Sequence, residues 1–303
     1  MSSFQCICQE LGVPIANEKT VGPVTTLTFL GLEIDTINRI VRIPANKIVA
    51  LVSLLQKLIT LKKVTLKDLQ SLVGALSFFC KAIRAGRAFI RRFYDAMIGV
   101  KQSHHFIRIN ASLRADLLMW LTFLRNFNGQ TYFTESTWTG NSVLNLFTDS
   151  TGSVELGCGA YFNGQWVYFQ WPSHWRGSKI MKDITFLELV PVVLSMAIWG
   201  ERLANCKILF HVDNMALVSI LNKQTSKDKH VMNLIRPFVY YAMRNNIIFR
   251  AVHVAGSYNC IADAISRKQW QRFRLLAPNA HHQPQSIPDH FWESIYNLKL
   301  TDC

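Results

Sequence analysis

The chain has 303 residues, half of them hydrophobic, 12% aromatic and 17% charged, which is enough apolar material for a substantial core in about two domains and too much for an intrinsically disordered polypeptide. With 33 Lys and Arg against 19 Asp and Glu the net charge is +14, split +9 over residues 1–140 and +5 over 141–303, so both parts attract polyanions, nucleic acid first and anionic membrane surfaces second. Uncharged apolar stretches such as 189–200 fall short of the roughly 18 to 20 residues of a spanning helix and no basic-then-apolar leader opens the chain, while seven cysteines without a CxxC pair support neither a disulfide framework nor a zinc ribbon, so an intracellular protein of cytoplasm or nucleus with no membrane partner is expected.

In chain order, the first 44 residues read as extended. Leu27 to Ile34 and Arg39 to Ile43 are apolar-rich runs flanking Asp35-Thr36-Ile37-Asn38, a hairpin turn, and Pro44 closes the segment. From Ala45 to about Phe127 the period becomes helical. Ile48, Leu51, Val52, Leu54, Leu55 and Leu58 share one face, and Leu66, Leu69, Leu72, Val73 and Leu76 share another, with Thr65 as N-cap and Asp68 three residues on. Ala85-Gly86 interrupts; further helices are predicted over 88–98 and 112–127, making a small helical domain. Polar, turn-rich residues 128–140 place a domain boundary. Strands are then expected at Ser142 to Thr148, Gly157 to Phe162 and Gln165 to Gln170, the last two joined by the hairpin signal Asn163-Gly164. An apolar helix from Thr185 to Leu203, a strand 207–212, two helices within 216–244, a strand 247–254 and a helix after Asp263 complete an α/β fold with a mixed sheet and flanking helices. The tail from Pro278 reads as an irregular arm, and Pro191 should bend the helix that presents Glu188.

Acidic residues stand where a core-building sequence would not put them. Asp149 ends the apolar strand 143–148, Asp213 ends 208–212, Glu188 is the only charge between Asp183 and Glu201, and Asp263 follows the last strand. Carboxyl ends of neighbouring strands face one crevice, so Asp149 and Asp213 converge if their strands are adjacent and parallel. Convergent carboxylates need a cation, and oxygen ligands select magnesium or manganese. Each residue also has a plainer use: Asp149 and Asp213 as turn or cap residues, Glu188 as a partner of the helix dipole, Asp263 as the cap of the last helix.

The strings Phe147-Thr148-Asp149-Ser150, Glu188-Leu189, His211-Val212-Asp213-Asn214 and His253-Val254-Ala255-Gly256 leading to Ala262-Asp263 resemble the ribonuclease H domain of retroelement polyproteins, in the family's order and with spacings of 39, 25 and 50 residues. The resemblance implies hydrolysis of the RNA strand of RNA·DNA hybrids with two Mg2+ ions (Mn2+ also serving). Asp149 would bridge them, Glu188 and Asp213 completing one site and Asp263 the other, with His253 assisting proton transfer or product release. Phe29-Leu30-Gly31-Leu32-Glu33-Ile34, Arg42-Ile43-Pro44 and Leu72-Val73-Gly74-Ala75-Leu76 resemble the reverse-transcriptase region after the palm. Ala85-Gly86-Arg87-Ala88-Phe89, Glu188-Leu189-Val190-Pro191 and Phe273-Arg274-Leu275-Leu276-Ala277-Pro278 are similar to DIRS-type retrotransposons. The implied organisation is a hairpin segment closing a palm (1–44), a helical thumb/connection domain (45–138), a ribonuclease H-like domain (139–275) and an irregular arm (276–303). The polymerase Tyr/Phe-x-Asp-Asp motif is absent from the sequence, so DNA synthesis is not expected from this chain, and upstream palm and fingers of the same polyprotein are the expected partner. A catalytically inactive, nucleic-acid-binding remnant is the alternative.

Lys81, Arg84, Arg87, Arg91 and Arg92 form a run with no acid between them, suited to phosphates or simply to a solvated helix face. Ser150, Asn214 and Ser257 are candidate hybrid contacts by proximity. Trp166, Tyr168, Trp171 and Trp175 would stack on bases or, as is commoner for strand aromatics, fill the core. His104, His105, His281 and His282 read as surface residues.

Overall fold

Apolar spacing and turn chemistry set most elements of the computed structural model, which describes residues 2–126, 131–132 and 137–296 as a mixed α/β fold. The N-terminus departs from the extended reading. Helix α1 (Ser2–Glu10) forms because Phe4, Ile7, Cys8 and Leu11 repeat at three- and four-residue steps, and Gly12, at φ +67°, ends it. The run 27–34 is not one strand but two, β1 (Thr26–Phe29) and β2 (Leu32–Asp35), folded back at Leu30-Gly31, where both residues have positive φ. The second turn is as expected: Asp35 accepts hydrogen bonds from the Asn38 N–H (2.9 Å) and Nδ2 (2.8 Å), leading into β3 (Ile40–Arg42).

The helical stretch follows: α2 (Ala45–Thr60), β4 (Lys63–Thr65), α3 (Leu66–Phe79), α4 (Arg91–Met97), β5 (Phe106–Arg108) and α5 (Ala111–Asn126). Thr65 caps α3, its Oγ1 accepting from the Asp68 N–H (3.1 Å) and donating to Asp68 Oδ2 (2.7 Å). Residues 84–89 wind as a 3-10 turn, in which Gly86 lies so close to the Trp120 ring that no side chain would fit. Of the boundary segment 128–140, positions 127–130 and 133–136 lie outside the described residues; β6 (Thr131–Tyr132) pairs with β3.

In the second half, residues expected to begin a strand form the short helix α6 (Asn141–Leu144), closed by Asn145 at φ +49°. β7 (Leu146–Ser150), β8 (Gly157–Phe162) and β9 (Gln165–Gln170) make an antiparallel meander, with Asn163 and Gly164 both at positive φ in its hairpin. Helix α7 (Ile184–Trp199), extended by a 3-10 turn to Leu203, continues through Pro191. It is buried from Phe186 to Met196 against β7, β8 and helix 229–244. Counted with its few charges, 184–203 is long and apolar enough to cross a membrane by length and composition, contrary to the stretch-by-stretch reading, and most of it is buried within the fold, as befits a helix that is apolar all round.

β10 (Lys207–Val212), α8 (Met215–Lys223), α9 (Lys229–Arg244) and β11 (Ile248–His253) follow, with β10 and β11 parallel. The strands do not join into one hydrogen-bonded sheet. The β7-β8-β9 and β10-β11 ladders are separate; Thr139 bonds the start of β10, its N–H to Lys207 O and its C=O from Leu209 N–H, and β7 lies beside β10. α10 (Cys260–Ser266) packs over β7 and β8, and α11 (Trp270–Leu276) follows. The arm expected to be irregular carries α12 (Asp289–Tyr296), whose Phe291 and Ile295 are buried, Phe291 edge-on to Phe169. Trp166, Trp171 and Trp175 are buried as well, Trp166 and Trp171 donating to the carbonyls of His281 and Thr151; the aromatic residues of this hairpin build the core. One hydrophobic core runs through both halves, and Arg236 on α9 reaches across to the buried Asp116 on α5 (3.6 Å).

Candidate metal centre

Three of the four acidic positions come together. Asp149, fourth residue of β7, Glu188, in the second turn of α7, and Asp213, directly after β10, bring one carboxylate oxygen each within 4.8 Å of one another. Asp149 and Glu188 are buried and Asp213 faces the opening. They line a cleft of about 880 Å³ with Asn214, Gly256 and Asp263.

Their neighbours hold them in place. Ser150 Oγ donates to Glu188 Oε1 (2.9 Å), Ser266 Oγ donates to Asp149 Oδ2 (2.6 Å), and Asn259 Nδ2 ties the next helix to Thr148 O (2.6 Å). Burial, reinforced by the charges of Asp263 and Asp213 and offset in part by Ser266, pushes Asp149 up to about 7. Burial and the charges of Asp149 and Asp213 push Glu188 up to about 9, against the Ser150 hydrogen bond. A cation placed among these carboxylates would favour their charged forms. An all-oxygen set of this kind fits a hard divalent ion.

The remaining site candidates are placed less directly. Asp263 is not a cap: it lies inside α10, lines the cleft, and is gripped by Arg267 Nε (2.5 Å) and Arg272 Nη1 (2.6 Å). Partial burial raises its pKa, but these two hydrogen bonds outweigh that and hold it below the usual carboxylate range. Asn214 caps α8, accepting from the Leu217 N–H (3.0 Å). Ser150 is occupied by Glu188. His253 and Ser257 are exposed and stand outside the cleft lining. Among the basic run, Arg92 pairs with Asp116 (2.8 Å) and Arg91 with Asp95 (2.6 Å), leaving Lys81, Arg84 and Arg87 exposed. Sequence reasoning missed Ser266, Arg267 and Arg272. Ser266 was within reach, since it follows Asp263 by three residues and so shares its helix face.

No protein-family model and no curated protein matches the chain. Among solved structures it is similar, in coarse outline, to the foamy viral protease-reverse transcriptase in complex with RNA/DNA hybrid, at 13% identity and a TM-score of 0.33. The likeness covers 82% of this chain, which spans about a third (33%) of the length of that one.

Proposed function

We propose that the chain is the ribonuclease H portion of a retroelement reverse transcriptase, hydrolysing the RNA strand of RNA·DNA hybrids. The observation that carries this reading is the convergence of Asp149, Glu188 and Asp213, from a strand, a helix and a strand end, on one open cleft with Asp263 at its edge. Asp149, Glu188 and Asp213 would hold magnesium or manganese, and Asp263 would contribute once it gives up an arginine. When bound, such an ion stabilises charge on the phosphoryl oxygens and lowers the pKa of water. Ser266 and Ser150 hold the Asp149 and Glu188 carboxylates by hydrogen bonds, and Asn214, which lines the cleft beside Asp213, would meet an incoming phosphodiester.

On this reading residues 139–275 form the nuclease domain, 1–44 and 45–138 the hairpin segment and thumb/connection of the polymerase, and 276–303 a C-terminal arm, in an intracellular protein. The exposed apolar residues Leu27, Phe29 and Leu30 on β1 and its turn would receive upstream palm and fingers. A non-catalytic nucleic-acid-binding remnant is the competing reading, favoured by the pairing of Asp263 with two arginines.

Cleavage of an end-labelled RNA·DNA hybrid, in Mg2+ and in EDTA, with single-stranded RNA and duplex DNA as controls, tests the proposal. Hybrid-only, metal-dependent cutting abolished by Asp149→Asn is expected. A hybrid that a folded protein binds but leaves intact in Mg2+ and Mn2+ would establish the remnant.

A further inference from the structure

A second cleft lies where the two halves meet. It has a volume of about 710 Å³ and is walled on one side by residues 80–87 and on the other by the end of α9, the start of β11 and the end of α8. Lys81, Arg84, Arg87 and Arg244 all line it, and no Asp or Glu does among the described residues. Arg84 and Arg87 have no acidic partner within 4.0 Å among those residues, and Arg244 only a long, exposed contact to Glu201 (3.9 Å). Arg87 also lines an adjoining cleft of about 340 Å³ with Lys223 and Arg91, so the positive surface continues beyond the first cavity.

Cations alone would describe a solvated face. What singles this cleft out is Gln224, the left-handed cap of α8 at φ +56°, which is 8% exposed and lines the cavity. Its Oε1 is buried and has no hydrogen-bond partner among the described residues. A buried amide oxygen without a partner is costly, and the neighbouring Asn222 shows the contrast, with both ends of its amide bonded to the Ala251 backbone. A ligand that supplies a hydrogen-bond donor to Gln224 and negative charge to Arg84 and Arg87 would satisfy both.

We propose that this cleft is a nucleotide-binding site separate from the carboxylate cluster, with the cations taking phosphate and the Gln224 amide taking an N–H or O–H of base or ribose. Helix α8 fixes the separation. Its N-cap Asn214, beside the carboxylates, and its C-cap Gln224 are ten residues or about 15 Å apart, so occupancy of one site leaves the other open. The nucleotide is either free or one unit of a strand. The site does not depend on the nuclease reading.

Isothermal titration calorimetry of the full chain with 5′-AMP, with inorganic phosphate and with a short single-stranded oligothymidylate tests this, on the wild type, on the Arg84→Glu/Arg87→Glu double variant and on Gln224→Asn, which tolerates the left-handed backbone. Binding of AMP or the oligonucleotide is expected, weakened at least about tenfold by the charge reversals and by rising salt, and weakened by Gln224→Asn. AMP binding marks a free-nucleotide site; binding of the oligonucleotide alone marks a strand site. Thermal melting and its response to Mg2+ check that the variants fold with the carboxylate cluster intact. Should the double variant not fold, Gln224→Asn carries the decision by itself. Absence of binding by both nucleotide probes, phosphate binding as tight as AMP binding, or wild-type affinity in the folded variants would overturn the assignment.

Discussion

Gly159→Ala tests whether the packing of α10 on β8 assembles the carboxylate site. Gly159 pairs with Asp149 across the β7–β8 ladder, and α10 crosses directly above it. A methyl built there would stand 2.5 Å from Ile265 Cγ2, 2.7 Å from Ile265 Cβ and 3.0 Å from the Ser266 N. Two of these atoms belong to the framework of the helix rather than to the tip of a flexible side chain, so α10 itself must retreat, by about 1 Å, to restore ordinary contact at 3.4 Å. Overpacking of this kind costs about 1–3 kcal/mol. The retreat carries Ser266 away from Asp149, stretching a 2.6 Å hydrogen bond to a carboxylate whose loss costs about 1.5–3 kcal/mol. The lower entropy of the unfolded alanine chain returns about 0.4–1 kcal/mol. The net expectation is a destabilisation of about 1.5–5.5 kcal/mol, measured by urea unfolding followed by far-UV circular dichroism, together with loss of hybrid cleavage. Gly74→Ala is the control: Gly74 lies in α3 with nothing within 4 Å of the added methyl, so the protein should gain about 0.5–1 kcal/mol. A Gly159→Ala protein as stable as the wild type would refute the described packing.

The acid cluster predicts an unusual pH response. Folded-state pKa values of about 7 for Asp149 and about 9 for Glu188 lie above the unfolded values, so the stability they contribute is fully present below about pH 4 and is lost as pH rises through 7 to 9. Metal-free protein should therefore melt lower at about pH 8 than Asp149→Asn does relative to about pH 5, and Mg2+ should raise the wild-type melting temperature most at the higher pH; identical pH profiles for wild type and variant would sink the idea. Asp116→Ala strands the 11%-exposed Arg236 side chain without its counter-charge and should cost about 3–5 kcal/mol in urea unfolding; a cost below about 1 kcal/mol would show that the bridge between the halves is not formed. Ser266→Ala should weaken Mn2+ binding, followed by electron paramagnetic resonance, by about 10- to 100-fold, with the fold retained; unchanged affinity would mean that Asp149 needs no support. Arg272→Gln loosens the grip on Asp263 and should strengthen binding in the same assay, whereas weaker binding would show that the arginine helps to build the site.

Local chemistry made much of this protein legible in its residues alone. The Asn163-Gly164 hairpin, the Thr65 cap with Asp68, the Asp35 turn and the apolar faces of α2, α3 and α7 depend on contacts among residues a few positions apart, and neighbours in sequence are enough to specify them. Asp149, Glu188 and Asp213 stood out for the same reason, as charges interrupting apolar runs. What escaped was set by distant partners. Thr139 pairs with the start of β10, distant in the chain; Arg272 reaches Asp263 because α10 and α11 fold against each other; Arg92 leaves the basic run because the buried Asp116 claims it. The cleft that joins Arg84 and Arg87 to Gln224 exists only once α8, α9 and the 84–89 turn meet. Side-chain type and spacing determine which groups are available, and which of them face each other, a cation or open solvent is decided by the packing of elements that the sequence keeps far apart.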